Sequence, residues 1–122
     1  MKNAARLDAA FAALADARRR AVIRALVERP HRAGELAEHV GLSPAALSRH
    51  LGVLRRAKLV VQDGVEHDAR VRLYRLAPRA LTQARTWIDE VERFWTEQLA
   101  DFKAHAKSAF SVRSRRAPRS PP

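Results

Sequence analysis

Cysteine is absent from the chain, so disulfides, thiolate metal sites and a cysteine nucleophile are all excluded. Glycine occurs four times in 122 residues and nowhere forms the clustered loop that cradles a phosphate group. No nucleophile–base–orienter set stands out either. Ser48 and His50 are two residues apart on a helical segment and do not face each other. The chain is therefore not expected to be an enzyme, and no cofactor or metal ion is expected. No apolar run approaches the length of a membrane span, and the N-terminus lacks a signal-peptide pattern. The expected compartment is the cytoplasm, with no membrane partner. Acidic residues are also scarce: 13 Asp and Glu against 24 Lys and Arg leave a net charge of +11. A surplus of that size on a small protein favours a polyanionic partner.

What is present reads as a globular domain, with 47% hydrophobic and 30% charged residues. A chain of this length suits one domain and hides roughly two thirds of its unfolded surface. The charge is segregated. Residues 1–86 carry 17 basic and 8 acidic side chains, residues 87–103 carry 2 and 5, and residues 104–122 carry 5 and none. One part of the protein is built for an anion and another is not.

Leu7, Ala10, Phe11 and Leu14 recur at helical spacing and mark one face of a first helix. Asp16 reads as the N-cap of a second, which carries Val22, Ile23, Leu26 and Val27 inward and is stopped by Pro30. "AGELAEHV" at 33–40 is a short third helix with Leu36, Ala37 and Val40 facing inward, and Gly41 is its left-handed stop. Ser43 then caps a fourth helix with Pro44 at its first position. "LVVQD" and "RVRLYRL" are strands flanking a hairpin tip, "DGVEHDA", and Pro78 closes the second. A long helix is expected from about Arg79 to Ala106, and the Pro/Ser/Arg-rich end is expected to be disordered. The boundaries are thus 1–106 for one folded domain and 107–122 for a basic, disordered tail. The order is a mainly α, winged helix-turn-helix fold, α-α-α-α-β-β-α.

The fourth helix carries the functional argument. Its residues advance by about 100° each, so Leu47, Leu51 and Leu54 share an inner face. Ala45, Ser48, Arg49, Gly52 and Arg56 occupy the opposite face: small near the axis, with two guanidinium groups and a hydroxyl projecting. That pattern suits the major groove of double-stranded DNA, where Arg49 can pair with guanine and Ser48 can bond to a base edge or phosphate. The helix N-terminus at Ser43 and Pro44 can meet a phosphate oxygen. His50 lies between the faces, where it could support the phosphate backbone. A plain solvated face is the alternative for this helix alone. The turn before it, the wing behind it and the segregated charge favour DNA.

These segments resemble a known family. "LADARRRAVIRAL", "GELAEHVGLSPAALSRHLGVLRRAKLV" and the wing ending "RLYRLAP" look like the ArsR/SmtB winged-helix repressors, over residues 6–78. "WIDEVERFWTEQLADF" is similar to the last helix of the metal-free members. The resemblance implies a homodimer that binds operator DNA and leaves it when an effector, here unknown, is bound. The metal-sensing members carry a Cys pair in the helix matching residues 35–40, where this chain has Ala37 and His39. Glu97, Asp101 and His105 offer a conceivable carboxylate–imidazole set, for which a polar helix edge is the plainer reading. A metal-responsive repressor, and a winged-helix module for protein or RNA, are the rival functions.

Trp87, Ile88, Val91, Phe94, Trp95, Leu99 and Phe102 fall in one arc of the last helix. About 28 helical residues make a rod of about 42 Å, which outruns the radius of gyration of about 14 Å for such a chain. A second copy is the simplest cover for that stripe, with Leu7, Phe11 and Leu14 contributing to a two-fold interface. Two recognition helices related in this way call for a palindromic operator. In the wing, Arg70 and Arg72 are expected to contact DNA, with Arg75 and His67 nearby, while Asp63, Glu66 and Asp68 would repel phosphate. Arg18, Arg19 and Arg20 are expected either at the DNA backbone or paired with acids of the last helix.

Overall fold

The computed structural model describes residues 2–65 and 68–116, with side chains for 4–64 and 71–109. Along the chain run α1 (Lys2–Leu14), α2 (Ala17–Glu28), β1 (His31–Arg32), α3 (Ala33–Val40), α4 (Pro44–Arg56), β2 (Val60–Val65), β3 (Asp68–Leu76) and α5 (Thr82–Arg116). The chain divides into two compact units, Met1–Arg85 and Thr86–Pro122.

In the first unit the helices close on one core. Val22, Ile23, Ala25 and Leu26 of α2 meet Leu36 and Ala37 of α3 and Leu47, Leu51 and Leu54 of α4. Ala10 and Ala13 of α1 and Leu59 and Val60 complete it. Val22, Leu36 and Leu54 are fully buried, so truncating either leucine to Ala would cost about 2–5 kcal/mol. Leu7, Phe11 and Leu14 are half-buried. Val27 departs from expectation and is 63% exposed. The buried arc of α2 runs from Ala25 through Val22 and Leu26 to Ile23, and Val27 falls about 40° beyond it.

The sheet has the order β1-β3-β2, all antiparallel. β1 was not expected. Its two residues pair His31 with Tyr74 and Arg32 with Leu73, too short a stretch for any alternation to register. The hairpin strands run further than expected, with Gly64 opposite Arg72 and an irregularity between Gly64 and Val65. Glu66 and His67 lie outside the described residues, as does the side chain of Arg70.

α5 starts at Thr82 rather than Arg79, because residues 78–81 form turns in which Arg79 has φ 57. It continues to Arg116, past the boundary expected at 106. No proline interrupts residues 79–117. In the second unit Trp87, Ile88, Val91, Phe94, Trp95 and Phe102 are exposed, and Leu99 is half-buried.

Candidate nucleic-acid interface

The turn that aims α4 is built as the sequence implies. Gly41 takes φ 70, and its N–H donates to Glu38 while that of Leu42 donates to Ala37. Ser43 Oγ accepts from the Ala46 N–H at 3.1 Å, and Pro44 opens the helix. At the other end of α3, Glu35 Oε1 accepts from the Arg32 N–H at 3.3 Å. That bond and a second from Arg29 hold its carboxyl below the ordinary value.

Ser43, Pro44, Ala45, Ser48, Arg49 and Arg56 are exposed, so α4 turns this set outward while its leucines face the core. Gly52 is half-buried, and the Arg56 guanidinium lies over it: a Cβ there would stand 3.4 Å from Arg56 Nη1. A cleft opens between the C-terminal half of α4 and β2, lined by Gly52, Arg55, Arg56, Lys58 and Gln62 among others. Arg55 and Lys58 were missed in the sequence. The pair Arg55–Arg56 was their signal, since adjacent cations at a helix end both reach solvent.

His50 is the correction on this helix. It is buried, at 9% exposure, with Nδ1 3.5 Å from Arg19 Nη1. Position 50 stands three residues after Leu47 and four before Leu54, on their side of the helix. It faces the interior and not a phosphate. The arginine triplet is likewise turned to local work. Arg19 Nε donates to Ala13 O at 2.6 Å and Arg19 Nη2 to Ala12 O at 3.1 Å, while Arg20 Nη1 donates to Leu14 O at 2.8 Å. These bonds satisfy the open carbonyls at the end of α1. Arg18 pairs with Asp16, which caps α2 through bonds from the Arg18 and Arg19 N–H groups. Desolvation pushes the Asp16 carboxyl up, but the bonds from the Arg18 side chain and from both N–H groups, with the Arg18 charge, hold it at about 2.

In the wing, Arg72 is exposed and lies across Gly64, where a Cβ would come within 3.2 Å of its Nη1. Arg75 is on the other face of β3 and pairs with Asp63, which neutralises one of the acids that would have repelled phosphate. Among the described residues, no group of three or more His, Asp or Glu side chains is placed to hold a metal ion, and Glu97, Asp101 and His105 form no such group. No helix among them is long and apolar enough to cross a membrane.

The bacterial regulatory protein, arsR family, model matches residues 16–61, which run from the Asp16 cap to the start of the wing. HTH-type transcriptional regulator Rv2034 of Mycobacterium tuberculosis H37Rv is 39% identical over 95 residues, covering 78% of this chain and 83% of that protein. The chain belongs to the arsR family. It is a transcriptional regulator with a winged helix-turn-helix DNA-binding domain. Among solved structures, an ArsR-like transcriptional regulator from Rhodococcus sp. RHA1 is 30% identical with a TM-score of 0.74, covering 87% of this chain and 97% of that one. The homodimeric winged helix-turn-helix domain of Mb0332 from Mycobacterium bovis, 22% identical, has the same fold, with a TM-score of 0.56 over 76% of this chain and 82% of that one. In this arsR-family regulator, α3 and α4 are the helix-turn-helix and β2–β3 the wing.

Proposed function

We propose that this regulator is a homodimeric repressor of the cytoplasm that binds a palindromic operator and inserts α4 into the major groove. The observation that carries the reading is the outward face of α4, where exposed Ser48 and Arg49 stand beside Ala45 on a helix whose opposite side is core. Arg49 reads a base, Ser43, Pro44 and Ala45 bring the helix N-terminus to a phosphate, and Arg55 and Arg56 follow the backbone. Arg70 and Arg72 extend the contact through the wing. The exposed stripe from Trp87 to Phe102 supports the dimer, because a patch of that kind on a small protein marks an interface. Leu7, Phe11 and Leu14 contribute to it, and the homodimeric state of Mb0332 is consistent with it.

Selection of bound fragments from a random duplex library, followed by sequencing, tests the reading. Imperfect palindromes with half-sites about 10–10.5 bp apart are the expected result. Fragments without two-fold symmetry would overturn the paired-helix geometry, and retention of single-stranded RNA in preference to duplex would overturn the assignment to DNA.

A further inference from the structure

A cavity of about 350 Å³ opens in the unit Met1–Arg85, beside α1, the residues just after α4 and the loop between β3 and α5. Ala10 and Ala57, both buried, give it an apolar floor. Three exposed cations stand around it: Arg6 from α1, Lys58 from the end of α4 and Arg79 from the loop. No acidic side chain lines it. None of the three cations is in an ion pair among the described residues.

The backbone singles out two of the same residues. Among the described residues other than glycine, positive φ occurs at Lys58 (64°) and Arg79 (57°). Lys58 occupies the position just past a helix end. There its N–H donates to Arg55 O and that of Leu59 to Leu54 O, a geometry that glycine ordinarily serves without strain. Backbone strain of this kind clusters at ligand-binding and switch sites. Both strained residues are cations, and both line one cavity.

We propose that this cavity binds a small organic anion, a carboxylate or phosphate on a short apolar body, as the regulator's effector. Arg6, Lys58 and Arg79 hold the charge, and the alanine floor receives the apolar part. Lys58 also lines the cleft between α4 and β2, beside Arg55 and Arg56. An anion in the cavity and a DNA phosphate in the cleft therefore compete for one ammonium group, and each weakens the other by the same factor. This coupling, though not the cavity itself, rests on the DNA-binding reading above.

The test titrates the full chain with inorganic phosphate and, separately, with succinate, at an ionic strength held constant with chloride. Amide chemical shifts report on the cavity, and fluorescence anisotropy of a labelled operator reports on DNA. The expected result is saturable shifts at Lys58, Arg79 and Thr82 with at least one of the two anions, which also identifies the preferred head group. Lys58→Gly and Arg79→Gly should each weaken that binding about tenfold, the loss of one charged hydrogen bond, while glycine keeps the backbone conformation. Arg79→Gly should keep the operator affinity of the parent chain without anion and lose the anion's effect on it. Shifts that rise linearly with salt, or that both variants leave saturable and unchanged, would overturn the site. Saturable binding that leaves operator affinity untouched would overturn the effector role. A chain that binds no duplex at all would instead defeat the DNA reading, and the shift titration would still judge the cavity.

Discussion

Arg19 of α2 and His50 of α4 meet with Nη1 3.5 Å from Nδ1, while the same guanidinium donates to the last carbonyls of α1. One side chain thus ties three helices together behind the face of α4 proposed to read DNA. A mobile platform would blur the position of Arg49, so on the proposed reading this junction would link the packing of the core to the sharpness of base contacts.

Arg19→Ala should destabilise the protein by about 1–3 kcal/mol, because it strips a charged donor from partly buried carbonyls. Arg19→Lys should recover only part, since an ammonium cannot reproduce the forked geometry. Urea titrations with an unchanged slope would measure the loss. Arg19→Ala should also leave the salt dependence of DNA binding unchanged, whereas a phosphate contact would lower that slope by about 0.9.

The capping carboxyl gives a pH signature. Asp16 titrates at about 2 in the folded chain against an ordinary 3.8. A depressed carboxyl stabilises the fold above the unfolded value and loses that contribution as pH falls through the folded one. Stability should therefore fall between pH 4 and pH 2 more steeply in the parent chain than in Asp16→Asn. Asparagine still caps the helix but does not titrate. Thermal melts across that range provide the comparison, and parallel curves would remove Asp16 from the acid response.

The exposed stripe of α5 should be the dimer seam. Trp95→Glu would place a carboxylate in an apolar interface, at a cost of at least several kcal/mol for a dry site. Sedimentation at low micromolar concentration should then find monomer, and a variant that stays dimeric would move the interface elsewhere.

How far the sequence could be read depended on how local the cause was. Gly41, Ser43 and Pro44 were legible because each acts on its own backbone. The leucines of α4 were legible because helical spacing alone sorts them. His50 was misread although its spacing from Leu47 and Leu54 was available, because a polar residue type was given more weight than its position. Arg19 could not have been placed, since its partners are carbonyls of a neighbouring helix that no residue type announces. β1 exists only because His31 and Arg32 lie against β3, a tertiary cause two residues cannot signal. The start of α5 was missed because Arg79 adopts a backbone conformation that its residue type does not suggest.

The central claim is that Arg49, exposed on the second turn of α4, reads sequence and does not merely hold the backbone. Binding curves for Arg49→Ala and Arg72→Ala, on operator and on random duplex at several salt concentrations, test it most directly. Arg49→Ala should cost about 1–3 kcal/mol per half-site on the operator, leave random DNA nearly unaffected and relax preference at one base position. Arg72→Ala should weaken every sequence alike and flatten the salt dependence, because a phosphate contact releases counterions without reading bases. Equal weakening of operator and random DNA by Arg49→Ala would contradict the account, making Arg49 a phosphate anchor and leaving base reading to other residues of α4.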